Sequence, residues 1–297
     1  MANLKAVRDR IKSVGNTQQI TKAMKMVSAA KLRRAQTAIQ QMRPYANKLN
    51  EMLRNILSNL GDGANTSFGI ERPIKKACVV VVTSNRGLCG AFNTNVIKSA
   101  VATIEAKYAD VRREGGLTIM PIGKKGFEYF KKHYSDCTII KDHVTIFDDL
   151  SFENIAVVSQ QLMDGFSNHV YDSVSVSYGR FKNAAMQFPE TEQWLPVPKM
   201  EAEGVKSGMV ADYTFEPDMM TLLEQLIPNI LQTTFQKYLL DTHASEHGAR
   251  MTAMDKATEN AQEMLKSLKL SYNKARQEAI TAEILEIVGG AAALESA

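Results

Sequence analysis

The sequence is short of the residues that build reactive or covalently braced sites. Its three cysteines, Cys78, Cys89 and Cys137, match neither a zinc pattern nor a disulfide framework, so a reducing cytoplasmic setting is expected. No apolar run approaches the roughly 20 residues a membrane helix needs; Ala77–Val82 and Ile287–Leu294 are far too short. The N-terminus, MANLKAVRDRIKSVGNTQQ, has no apolar core of a secretory signal and reads as mature protein. Acids are scarce there too. Residues 1–50 hold eleven Lys or Arg and one acid, Asp9, whereas residues 218–288 hold seven bases and ten acids. That imbalance favours an anionic partner for the N-terminal segment, whether acidic protein, lipid or nucleic acid.

Catalytic constellations are also missing. TSNRGLCGAFN (83–93) follows a strand-like run but carries neither G-x-G-x-x-G nor the Lys-Ser/Thr of a P-loop, so its glycines read as turn formers. GKKG (123–126) reads as a basic turn. His243 and His247 are four apart, yet Glu246 does not make HExxH, and they read as surface histidines on a helix. His133, His143 and His169 share no ligand spacing with them. No nucleophile elbow, paired carboxylates or catalytic cysteine context is present.

What is present is periodicity at both ends. Ala35, Ala38, Met42, Tyr45, Leu49, Met52 and Ile56 step alternately by three and four. Met251, Met254, Thr258, Ala261, Leu265, Leu268, Tyr272, Ala275, Ala279 and Ala282 do the same. This 3.5-residue repeat keeps one narrow edge facing one partner helix. The N-terminal helix would span roughly 85 Å, with Gly15 and Pro44 as weak points. The C-terminal one invites a kink or a short non-helical step near Pro228.

The middle of the chain differs. ACVVVVTS (77–84) is a β-branched run suited to a strand buried on both faces, and LTIMPIG (117–123) is a second strand. VYDSVSVSYGRF (170–181) alternates like a half-buried strand, and AAMQFPETEQWLPV (184–197) suits a sheet edge. Helical stretches follow residue 91, surround Phe127–His133 and fill 151–169. The expected fold is α/β: a long antiparallel coiled coil of N- and C-terminal helices with an inserted Rossmann-like α/β domain. Its expected parts are 1–60, 74–197 and 210–288.

The most specific text lies near the helix ends. Ile280, Thr281, Glu283, Glu286, Gly290, Ala291 and Ala293 fill, in register, the C-terminal signature of the gamma subunits of F-type ATP synthases. NTQQITKAMKMV, RGLCG and YNKARQ match as well, and the chain resembles that family throughout its length. Asn85 departs from the Asp common before RGLCG, and no cysteine-bearing segment of the plastid type occurs.

The resemblance implies a non-catalytic rotor shaft without a cofactor or metal. Its implied partners are a hexameric ring of alpha and beta subunits, an epsilon subunit and a membrane c-ring. It would lie peripherally on the cytoplasmic side of a bacterial inner membrane, without inserting into it, and couple proton flow to ATP synthesis. Carried over residue by residue, Lys22, Met24, Lys25, Arg276 and Gln277 would contact beta. Arg250, Gln277, Thr281 and Glu283 would form a coupling cluster. Arg86, Tyr213, Phe215 and Glu216 would serve the foot toward epsilon and the c-ring, and Ile287–Leu294 would sit in a bearing at the top of the ring. The competing reading is a nucleic-acid adaptor using the basic helix, although aromatic residues do not interleave its charges before Tyr45.

Overall fold

The computed structural model describes residues 4–60, 68–197 and 219–295. The chain falls into two compact units, Met1–Ser28 with Met251–Ala297, and Ala29–Arg250. The long terminal helices α1 (Leu4–Leu60) and α6 (Met219–Glu295) each contribute to both, and a mixed α/β domain is inserted between them in sequence.

In the first unit α1 and α6 pair antiparallel. Thr21 Oγ1 meets Thr258 Oγ1 at 2.8 Å, Lys25 Nζ donates to Asp255, and Arg8 Nη2 donates to the Tyr272 hydroxyl at 2.8 Å. Between the last two contacts each helix advances seventeen residues in opposite directions (25 − 8 and 272 − 255), so the register holds. Leu4, Val7, Ile11, Val14, Gln18, Thr21, Lys25 and Ser28 are the buried or half-buried seam of α1. On α6 the sequence-derived seam from Met251 to Ala282 is buried or half-buried at all ten positions. By this register Leu4, the first described residue of α1, lies opposite about Arg276, and from Glu283 to Ala291 every residue of α6 is exposed.

In the second unit the seam of α1 continues through Leu32, Ala35, Ile39, Met42, Ala46, Leu49, Leu53 and Ile56. This corrects the sequence reading at two positions: Ala46 and Leu53 face inward, not Tyr45 and Met52, while Ile39 is buried beside a half-buried Ala38. Tyr45 is 56% exposed and Met52 40%. Both sets are apolar, so the sequence supports either edge; packing selects the one that includes the larger branched side chains Ile39 and Leu53.

The sheet of this unit has the order β3-β2-β1-β4-β5. β1 (Ala77–Val82), β2 (Leu117–Ile122), β3 (Thr138–Ile139) and β4 (Ser173–Phe181) are parallel, and β5 (Gln187–Leu195) closes one edge antiparallel to β4. On one face, α2 (Phe92–Lys107), α3 (Ala109–Arg113) and α4 (Lys124–His133) bury Val96, Ala100, Ile104, Val111 and Phe130 with Val79, Val81 and Ile119. On the other, α5 (Phe152–Ser167) brings Ile155, Val158 and Leu162 against Val80, Val82 and Val176, joined by Leu53 and Ile56 of α1 and Leu223, Ile227, Phe235 and Leu239 of α6.

Two further sequence expectations change. β4 is buried from Ser173 through Gly179, not half-buried. Its serines read as a wet face but are satisfied inside: Tyr108 Oη lies 3.0 Å from Ser173 Oγ and 2.7 Å from Ser175 Oγ, and Ser177 Oγ lies 2.8 Å from Thr191 Oγ1. Of the kink or non-helical step expected near Pro228, the step is absent, and α6 is helical through the proline. Leu223, Ile227, Leu231 and Phe235 dock on the sheet on both sides of the proline, and that packing outweighs one missing backbone bond.

Candidate functional site

The chain reverses direction across the sheet between β1 and β4. Open parallel sheets bind ligands outside the carboxyl ends of the strands at such a point. Here the chain itself fills that crevice. After β1 the loop 83–91 turns back through Leu88 (φ 66°) and Gly90 (φ 59°) into α2. Over it lies the stretch Thr242–Arg250 of α6. Gly179 N donates to Thr242 Oγ1 at 3.2 Å and Ser245 Oγ donates to Gly179 O at 2.9 Å. A Cβ on Gly179 would stand 2.6 Å from the Phe92 ring and 3.4 Å from Ser245 Cβ, so glycine is what permits the approach.

At the centre is Arg250. Its Nη2 donates to the carbonyls of Arg86 (2.9 Å) and Gly87 (3.3 Å), and its Nη1 donates to Glu246 Oε1 at 2.6 Å. The two side chains are only 9% and 8% exposed. Burial lifts the Glu246 carboxyl above its ordinary range, while the charge of Arg250 works against that lift. His247 Nε2 lies 3.1 Å from His243 Nε2, and the His243 ring stacks on Phe147 at 6.0 Å. These are not surface histidines. Burial, with Lys31 and Arg250 nearby, depresses His243 to about 4 and His247 to about 3. Helical spacing alone could not reveal that this face of α6 turns onto the sheet.

The loop has its own supports. Ser84 Oγ donates to Arg86 O at 2.7 Å, and Asn93 Oδ1 accepts from Ser84 N at 3.0 Å. Asn85 accepts from Lys124 N and donates to Asp148 Oδ1, each at 3.3 Å. An Asp at position 85 would set two carboxylates face to face, which accounts for Asn in this chain.

The residues carried over from the resemblance spread out. Lys22 is exposed on α1, Met24 is half-buried, and Lys25 is held by Asp255. Arg276 and Gln277 are exposed on α6, about twenty residues past Asp255, or roughly 30 Å along the helix. Thr281 and Glu283 are exposed, with Thr281 Oγ1 returned to Gln277 O at 2.9 Å. Arg250 belongs to the other unit and is bound within it. The side chain of Arg86 is exposed while its carbonyl is engaged. Tyr213, Phe215 and Glu216 lie outside the described residues. Sequence reasoning missed Thr242, Ser245 and Glu246; small and polar residues in a row on an otherwise apolar helix were the available signal.

Among the described residues no group of three His, Cys, Asp or Glu is placed to hold a metal, and no helix is long and apolar enough to cross a membrane. What fold and site define is a protein of paired helices whose doubly wound domain has its ligand crevice filled by its own chain. A family model described as ATP synthase matches residues 3–294. The ATP synthase gamma chain of Cytophaga hutchinsonii is 52% identical, with all of both chains covered. That of Flavobacterium psychrophilum is 51% identical over 99% of this chain and 100% of its own. A chain of the Euglena gracilis mitochondrial ATP synthase, 23% identical, shares the fold at a TM-score of 0.64 over 99% of this chain and 95% of its own. One from the central stalk and c-ring of the Tetrahymena thermophila enzyme does so at 0.56, with 24% identity, 80% of this chain and 99% of its own. The chain belongs to the gamma-chain family of F-type ATP synthases.

Proposed function

We infer that this chain is the central-stalk subunit of a proton-translocating F-type ATP synthase, coupling its rotor to its catalytic head. The observation that carries this reading is 52% identity to a gamma chain from end to end. The antiparallel pairing of α1 with α6 supports it, since a helix pair in fixed register suits a shaft that bears torque. In this reading the alpha and beta subunits surround the helix pair, while epsilon and the c-ring meet the α/β domain. The chain binds no cofactor and performs no chemistry. An asymmetric shaft acts by touching three equivalent catalytic subunits unequally, because unequal contact is what shifts a conformational equilibrium.

Lys22, Met24, Arg276 and Gln277 are the residues we assign to the beta contact. Lys25 joins them with its charge already half engaged by Asp255. The separation of Lys22–Lys25 from Arg276 and Gln277 fits two contacts at different heights in the ring. Thr281 and Glu283 extend the upper one. Arg250 acts from the α/β side, and Arg86 with residues 213–216 is assigned to the foot.

Reconstitution tests the reading. The full chain is added to purified alpha–beta hexamer and a bead is followed under ATP. Stepwise rotation is expected. Binding without rotation would make the chain a static scaffold, and absence of binding would overturn the assignment.

A further inference from the structure

We propose that Arg250, braced by Glu246, is a positioning residue that clasps the Asn85–Gly90 loop to α6, so that helix and loop move as one piece. Three observations meet at this point. The loop sits where a doubly wound sheet holds its ligand, and the guanidinium occupies that place as an internal substitute. The pair is buried and its donors are used on both sides, toward Glu246 and toward the carbonyls of Arg86 and Gly87. A buried cation in such a setting must be satisfied, and the planar fork serves Glu246 from Nη1 and the loop carbonyls from Nη2 in fixed geometry, where an ammonium has a single nitrogen to place between them. Finally, the loop carries a leucine in the left-handed region, and Leu88 is 65% exposed, so no packing of its own side chain holds it there. Beyond the loop's own bonds through Ser84 and Asn93, Arg250 supplies a restraint from 162 residues further along the chain (250 − 88).

The clasp stands on geometry alone. Its mechanical meaning, that torque in α6 reaches this loop without slack, rests on the central-stalk reading.

Cys89 supplies the readout. Its thiol lies beneath the loop, 1% exposed and in contact with Asn93 Nδ2 at 3.2 Å. Cys137 is half-buried on a different part of the unit and Cys78 is fully buried in β1, so the three thiols report three depths. Maleimide labelling of the full chain is followed residue by residue by mass spectrometry. In Arg250→Gln the labelling of Cys89 should accelerate about tenfold or more, with Cys137 and Cys78 unchanged. Arg250→Lys should fall between, because it keeps the charge and loses the fork. Ser245→Ala, which removes a neighbouring bond from α6 to β4, should leave Cys89 at its original rate. Equal Cys89 rates in wild type and both Arg250 variants would overturn the clasp. So would a parallel rise at Cys78, which would mean that the whole unit had loosened. Should Arg250→Gln fail to fold, Arg250→Lys decides by the same criteria. Failure here leaves the bead assay untouched, so the clasp and the central-stalk reading are tested separately.

Discussion

Tyr178 and Tyr238 share one carboxylate. Their rings lie 4.4 Å apart, and each hydroxyl donates to a different oxygen of Glu192, at 2.6 and 2.8 Å. The arrangement ties α6 to β4 and β5 in one contact. Burial, with that carboxylate close by, pushes both phenols above the ordinary tyrosine range. Glu192→Gln keeps the shape and removes the charge that strengthens both bonds. A loss of about 1.5–3 kcal/mol in stability is expected. Urea unfolding followed by the fluorescence of Trp194 would measure it, since this single tryptophan is 2% exposed and packs on Phe235 at 5.3 Å. A change within 0.5 kcal/mol, about the scale of a neutral surface substitution, would show that the shared carboxylate adds nothing.

Asp241 is buried, and the burial raises its carboxyl to about 6 against the pull of Lys237, Arg43 and Arg180. The folded state therefore binds more protons than the unfolded one between about pH 4 and 6. Stability is drained as pH rises through that window. Asp241→Asn should be more stable than wild type at pH 7.5, by up to about 3 kcal/mol, and indistinguishable from it near pH 4. Equal stabilities at pH 7.5 would contradict the burial argument.

The histidines act in the opposite sense. His243 and His247 are held neutral, at about 4 and 3, while an unfolded histidine takes a proton below about 6.5. Their contribution is complete above that pH and declines as the solution is acidified. His247→Gln should flatten the fall in stability between pH 6.5 and 4 by about 1.4 kcal/mol per pH unit, the value for one proton. Wild type sums this trend with that of Asp241, so the two variants must be titrated separately. An unchanged slope in His247→Gln would place the acid sensitivity elsewhere.

The seam of the first unit predicts a contrast with that of the second. Lys25 and Asp255 are 40% and 46% exposed, and such pairs contribute only about 0–1 kcal/mol, so Lys25→Ala should be nearly silent in thermal unfolding. Leu32, four positions beyond Ser28 on the same edge, is 6% exposed, and Leu32→Ala should cost about 2–5 kcal/mol. Circular dichroism at 222 nm would follow both. Comparable losses would mean that the polar seam is as tightly packed as the apolar one.

Much of this architecture is legible from local patterning. The run of valines in β1 and the 3.5-residue repeat of α6 survive in the structure because each is dictated by one period and one burial face. The seam of α1 is less legible, since Tyr45 and Ala46, or Met52 and Leu53, are adjacent apolar residues and only the partner chooses between them. The inward serines of β4 are illegible for another reason: Ser173 and Ser175 are satisfied by the hydroxyl of Tyr108, more than sixty residues away. The same holds for Glu246 and Arg250. Four apart on a helix, they look like a surface ion pair until the loop at Arg86 covers them. The residues assigned to the beta contact are legible only through resemblance, because exposure by itself names no partner.

The filled crevice also sets an order of assembly. Arg86 and Gly87 leave the ribosome long before Arg250 does, and Arg8 long before Tyr272. Through most of synthesis the loop and the first helix have no mate, and closing such distant contacts is entropically slow. The nascent chain must therefore carry an unsheathed basic helix and a sheet with one face incompletely covered until α6 emerges. A premature stop anywhere before residue 250 would leave both unfinished, so truncated products should be recognised as misfolded and cleared rather than incorporated into a working motor.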